Sequence, residues 1–168
     1  MALTKLNFGG SQTALSSVNM PSGSILQKEI FHQSTSTHLY TQSTTSAQVG
    51  NVQVSITPKK ANSKILIEAT TGMALLNQSY LSWELYQDST PLIQVTQNYG
   101  SSYYYGWIYG RSTQGSFYGP LTAQHTVDAS STNQRTYKLY HRTYTGTAIS
   151  YSCHAGSYIK MIATEIAQ

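Results

Sequence analysis

From Val52 the chain reads V-Q-V-S-I, with Val52, Val54 and Ile56 separated by single polar residues. A period of two sorts side chains onto opposite faces of an extended chain, so this stretch predicts a strand with one face buried. The same alternation sets Leu81, Trp83 and Leu85 against Ser82, Glu84 and Tyr86, and Tyr137, Leu139 and His141 against Thr136, Lys138 and Tyr140. Further short runs of β character are SILQKEIFHQ, SKILIEAT, PLIQVTQ, PLTAQHTVDA, TAISYSCHA and SYIKMIATEIA. Turn residues such as Pro58-Lys59-Lys60-Ala61-Asn62 separate them. No stretch carries a helical stripe. About eight to ten strands with this punctuation predict an all-β, antiparallel two-sheet sandwich, and the number suits a jelly roll.

Residues 1–24 follow a different rule. Leu3, Leu6, Phe8, Leu15 and Val18 are spread through Gly, Ser, Thr and Asn with no period, and Gly9-Gly10 and Pro21-Ser22-Gly23 interrupt them. A loose tail is the plain reading. The favoured one is an extended N-terminal arm (1–24) that lies on a partner and gives these apolar residues somewhere to go, followed by a β-sandwich domain (25–168).

QNYGSSYYYGWIYGRSTQGSFYGP, from Gln97 to Pro120, gathers six tyrosines and a tryptophan around one charge, Arg111. If it is extended, Tyr99, Tyr103, Tyr105, Trp107, Tyr109 and Arg111 share one side. Gly100, Ser102, Tyr104, Gly106, Ile108 and Gly110 share the other. Small residues let a second backbone approach, and amphipathic rings suit a partly wet interface. The rings are therefore expected to be mostly buried, between sheets or between protomers. The competing reading is a platform for sugar rings. A mixed outcome has Tyr105 and Trp107 packed, with Tyr103 and Tyr104 at an exposed end.

Charged residues make up only 10% of the 168 positions, where about 25% is ordinary, and the net charge is +4. An uncharged polar surface suits a protein that packs against copies of itself. Lys59, Lys60 and Lys64 form the only basic group and read as a solvated turn; nucleic-acid binding needs a denser patch. The single Cys153 builds no disulfide framework and reads as a buried, inert thiol. The N-terminus has no apolar signal core and no run of about 18 apolar residues occurs, so the chain is expected to be made in the cytoplasm without membrane insertion.

Little in the sequence suggests catalysis. The acidic residues are Glu29, Glu68, Glu84, Asp88, Asp128 and Glu165, and they read as exposed strand and turn residues. Glu84 and Asp88 are the one close pair. A glycosidase needs two carboxylates facing across a cleft, which only strands distant in sequence could then supply. His32, His38, His125, His141 and His154 show no zinc spacing, and His141 reads as a satisfied sheet histidine. The expectation is a protein without catalytic residues, cofactor or metal.

Four segments resemble a known family. SITPKKANSKILIEA is similar to the strand–turn–strand segment of C1q/TNF-like jelly-roll domains in phage tail fibres and related virion proteins. NQRTYKLYHRT resembles that family's late strand, SYIKMIATEIA its terminal strand, and MPSGSILQ the lead into its first. The resemblance spans residues 21–168, but residues 88–120 carry none of its motifs. It implies a homotrimer on a bacteriophage virion, as a short tail fibre or spike or as a capsid decoration protein. The arm would attach it to another virion protein, and contact with host surface glycan is a further expectation. The alternative is a free-standing, lectin-like carbohydrate-binding module.

Overall fold

The computed structural model describes residues 20–34, 36–77, 80–94, 106–111, 116–143 and 150–168. Among them are eleven strands. The first six are β1 Ile25–Ser34, β2 Leu39–Thr41, β3 Ala47–Ile56, β4 Lys64–Asn77, β5 Tyr80–Gln87 and β6 Thr90–Ile93. The rest are β7 Ile108–Arg111, β8 Ser116–Asp128, β9 Arg135–Arg142, β10 Ser150–Cys153 and β11 Tyr158–Ile166. The first sheet runs β1-β11-β4-β10-β2, with β8 on the other edge of β4; the second runs β3-β9-β5-β6, with β7 also on β5. Every pairing is antiparallel. The long β4 serves two partners on one edge, β11 against Lys64–Thr71 and β10 against Leu75–Leu76.

The alternating residues build the core. Val52, Val54 and Ile56 of the second sheet and Ile65, Ile67 and Ala69 of the first share one core, and Leu81, Trp83, Leu85, Tyr137, Leu139, Ile159, Met161 and Ala163 fill the rest. Each large apolar side chain buried this way contributes about 1.5–3 kcal/mol. The expected all-β sandwich with antiparallel sheets is therefore present. The three-residue β2 escaped the sequence reading because it is too short to show a period.

Two acidic residues correct the sequence reading. Glu84 and Glu165, expected to be exposed, are fully buried. Ser82, assigned with Glu84 to the polar face of β5, is also buried, so this strand is covered on both sides. Part of the cover is backbone: a Cβ on Gly106 would collide with the Ser82 hydroxyl and the Trp83 carbonyl, so only glycine fits there.

Glu165 sits near the end of β11, under the turn that joins β3 to β4. Its carboxylate accepts the Ser63 hydroxyl at 2.6 Å, the N–H groups of Lys59 at 2.9 Å and Lys60 at 3.0 Å, and the Gln27 amide at 2.6 Å. Burial pushes the carboxyl up. The donors from Ser63, Lys59, Lys60 and Gln27 outweigh it and hold the group below the usual carboxylate range. The Lys59-Lys60 turn is solvent-facing as expected at Lys59, but its backbone amides are what fasten it to the domain.

The chain enters β1 through a turn at Pro21–Gly23. Gly23 has φ +85°, and Gly23 N donates to Ala167 O while Ala167 N donates to Ser24 O, both at 2.8 Å. The arm residues Leu3, Leu6, Phe8, Leu15 and Val18 lie outside the described residues. Cys153 has no exposure, and burial pushes its thiol up, away from the reactive thiolate.

Two outcomes follow from this packing. Glu165→Ala should lower unfolding free energy at pH 7 by about 2–3 kcal/mol, because buried donors lose an ionised acceptor. The carboxylate's contribution is complete above the unfolded value near about pH 4.3 and is lost as pH falls through the lower folded value. Urea midpoints measured against pH should therefore drop below about pH 4 in the native protein and drop less in Glu165→Gln. Cys153 should react slowly with a thiol reagent in the native state and rapidly in urea.

Candidate functional site

The tyrosine-rich stretch is placed in part. Tyr99, Tyr103, Tyr104 and Tyr105 lie outside the described residues. From Gly106 the chain lies against β5: Trp107 N donates to Trp83 O at 2.6 Å, and β7 then pairs Ile108 with Trp83 and Tyr109 with Ser82. Arg111 ends this strand opposite Tyr80. Trp107 is half-buried against the core, and its indole N–H donates to Gln124 O in β8 at 3.0 Å, linking the two sheets at one edge. Ile108 also packs on the core. The expected ladder, with Trp107 and Ile108 on opposite sides, does not extend through this point, because Trp107 is at a bend and the strand begins one residue later.

A serine and a histidine meet inside the sandwich. Trp83 Nε1 donates to Ser152 Oγ at 3.0 Å, and Ser152 Oγ lies 2.8 Å from His141 Nδ1. The indole donates to the oxygen, which leaves the serine proton for Nδ1. A nucleophile and its base meet at such distances, but here Ser152 has no exposure and His141 only 4%. The group ties β10 of the first sheet to β5 and β9 of the second. His141 is thus satisfied within the sheet, as its alternation suggested, and burial lowers its imidazole to about 4.

The close acidic pair separates. Glu84 accepts from Arg142 Nε at 3.2 Å, beside the ring of Tyr86, which stacks on Tyr140 at 4.0 Å. Asp88 occupies a turn with φ 56° and accepts the Thr136 N–H at 3.0 Å. Four residues of extended chain set the two about 13 Å apart. Among the described residues, no group of three or more His, Cys, Asp or Glu is placed to hold a metal. No helix among them is long and apolar enough to cross a membrane.

The outer face of the first sheet is chemically different. Among the described residues the exposed large hydrophobic side chains are Ile25, Ile30, Tyr40, Tyr118 and Tyr158, and all belong to strands of this sheet. Ile65, Ile67 and Ala69 of β4 point to the core, so the row Ile30–Ile162–Glu68–Gln124 points away from it. Ile162 on this face is only 7% exposed, shielded by its neighbours. Ile25, Ile30, Ile162 and the half-buried Leu66 and Ile166 make this end aliphatic.

At the other end the surface is aromatic. Tyr40 pairs with Tyr151, Tyr151 with Leu75, and Leu75 with Tyr118, which places three tyrosines in one row across four strands. His38 and His154 join them, with ring centroids 4.4 Å apart; His38 lies 4.7 Å from Tyr151, and His154 lies 5.9 Å from Tyr118. The segments carrying the two histidines are tied by Ala155 N donating to His38 Nδ1 at 3.0 Å. The same two segments wall an open groove of about 750 Å³, lined by Ser34, Ser36, Gly72, Gly156, Ser157 and Tyr158. The Tyr158 ring lies across Gly72, where a Cβ would come within 2.7 Å of it. Sequence reasoning missed this group. Tyr118 belongs to the tyrosine-rich stretch, but its aromatic companions come from two distant segments, 38–40 and 151–154, that only the strand order brings together.

The buried histidine has a measurable consequence. The unfolded imidazole titrates near about 6.5 and the folded one near about 4, so the unfolded chain binds the extra proton between them. His141's contribution is complete above the unfolded value and is lost as pH falls towards the folded one, on the order of 3 kcal/mol in full. Urea midpoints should fall between pH 7 and 4.5 in the native protein, and the slope should flatten in His141→Gln.

No family model matches the chain, and no curated protein matches it. Among solved structures it is similar to dimeric latent PorU from Porphyromonas gingivalis, at 10% sequence identity over 83% of this chain, with a TM-score of 0.40; the chain spans 13% of that protein's length.

Proposed function

We propose that this chain is a homotrimeric structural component of a bacteriophage virion, a tail fibre or spike or a capsid decoration protein, held through its N-terminal arm and without catalytic activity. The observation that carries the reading is the aliphatic end of the first sheet's outer face. Ile25 and Ile30 are 62% and 56% exposed there, beside Ile162. A low-charge chain with branched aliphatics on a regular sheet face is suited to burying that face against copies of itself.

The strand order supports a C1q/TNF-like jelly roll. With β6 and β7 taken as one interrupted strand, and the short β2 and β10 set aside, eight strands remain. The first sheet then carries the first, eighth, third and sixth, and the second sheet the second, seventh, fourth and fifth. That order is the one two nested Greek keys produce. The resembling segments also meet physically: Glu165 of SYIKMIATEIA binds the turn of SITPKKANSKILIEA. The arm residues Leu3, Leu6, Phe8, Leu15 and Val18 are assigned to another virion protein. A free-standing carbohydrate-binding module is the second reading, favoured by the exposed tyrosine row.

Light scattering should give about three times the 18.5 kDa chain mass. Ile30→Asp should give folded monomers, because a charge cannot be buried unpaired at a dry contact. Deleting residues 1–24 should leave a folded trimer that no longer joins the particle. A monomeric native protein at micromolar concentration, or normal incorporation of the truncated chain, overturns the corresponding half of the proposal.

A further inference from the structure

The two ends of the first sheet's outer face call for different occupants. The aliphatic end offers no side-chain hydrogen-bonding groups from its isoleucines and suits a protein surface. The aromatic end is amphipathic throughout. Tyr40 and Tyr118 are each 54% exposed. Three contacts within the group are edge-on, at 63° for His38 with Tyr151, 69° for His38 with His154 and 70° for Tyr118 with His154, and two are tilted, at 51° for Tyr40 with Tyr151 and 58° for Tyr151 with His154. None of these pairs is stacked face to face, and the exposure of Tyr40 and Tyr118 leaves ring surface open to a ligand. The row from Tyr40 to Tyr118 crosses three strand spacings, roughly 14 Å.

Polar groups surround these faces. Ser34, Ser36 and Ser157 line the adjoining groove, each with a hydroxyl that both donates and accepts. His38 Nδ1 accepts the Ala155 N–H, so the hydrogen-bond network assigns its ring proton to Nε2. His154 Nδ1 lies 3.1 Å from Ala155 O and donates to it, which leaves its Nε2 as an acceptor. One imidazole thus offers a donor and its neighbour an acceptor, which matches a hydroxyl that needs both. Among the described residues that line the groove there is no Lys, Arg, Asp or Glu. Its volume is that of ordinary ligand sites.

We infer that the tyrosine row Tyr40–Tyr151–Tyr118, with His38, His154 and the serine-lined groove, is a binding site for a neutral oligosaccharide. Sugar rings present C–H faces for the tyrosines and hydroxyl edges for the serines and imidazoles. An anionic sugar or a phosphate finds no Lys or Arg among the described lining residues. The assignment gives chemical identity to the host contact of the proposed virion role and rests on that role only for the source of the sugar.

The test uses the purified full-length protein, titrated with lactose, maltotriose, cellotriose and mannotriose, with 3′-sialyllactose as the anionic control. At least one neutral sugar should bind more tightly than sialyllactose. Tyr118→Ala and Tyr40→Ala should each weaken that binding at least tenfold, with melting temperature and light-scattering mass unchanged, since both side chains are mostly at the surface. Absence of binding by all four neutral sugars at 10 mM overturns the inference. So does tighter binding of sialyllactose, an unchanged affinity in both variants, or a changed mass in either, which would make the row a contact between protomers. Failure of the virion reading shows itself elsewhere, as absence of the protein from purified particles, and leaves these titrations as they are.

Discussion

A carboxylate removed from water must find its partners inside the protein, and Glu165 finds them in two separate places. Gln27 comes from the first strand, Lys59, Lys60 and Ser63 from the turn between β3 and β4, and the carboxylate itself from the last strand. Two sheets with opposing apolar faces can slide over one another at little energetic penalty, because hydrophobic contact has no direction. A charge with directional donors removes that freedom. The turn fixes where β3 leaves one sheet and β4 enters the other, so the register of the whole sandwich is set at this end. Trp83, Ser152 and His141 make a second cross-tie, also by directional bonds between the sheets.

The outer surfaces inherit their character from that register. On the first sheet it aligns Ile30 with Ile162 and Tyr40 with Tyr151, so one face carries an aliphatic end and an aromatic end. A shift by one residue would exchange these rows with the core positions beside them. The proposed protomer contact and the proposed sugar site are thus set by the same alignment that satisfies Glu165. Each uses residues that would be anomalous on a monomer's surface and that fit their proposed occupants.

Strands buried on one face were legible in the sequence. Val52, Val54 and Ile56 in β3, and Tyr137, Leu139 and His141 in β9, announced themselves by alternation because water lies on their other side. β5 was legible as a strand, but the burial of Glu84 and Ser82 was not, since a strand covered on both faces can carry the same alternation as one covered on a single face. Glu165 was misread for a related reason: a lone glutamate in a terminal strand looks solvated until the turn that caps it is known. The bend at Trp107 broke a pattern that assumed continuous extension. The tyrosine row was beyond sequence reasoning altogether, because Tyr40, Tyr118 and Tyr151 become neighbours only through the order β2-β10-β4-β8.

The position of β11 between β1 and β4 bears on how the protein is made. The ribosome delivers β1 well before its partner, and the Gln27–Glu165 contact spans 138 residues. Until β11 emerges, β1 has no partner among the described strands of its own sheet and the Lys64–Thr71 edge of β4 stays unpaired. Pairings this distant in sequence close slowly, and unpaired edges recruit other chains while they wait. The growing chain carries β1 open to its neighbours until β11 is made, so the folding yield depends on keeping nascent copies apart until then.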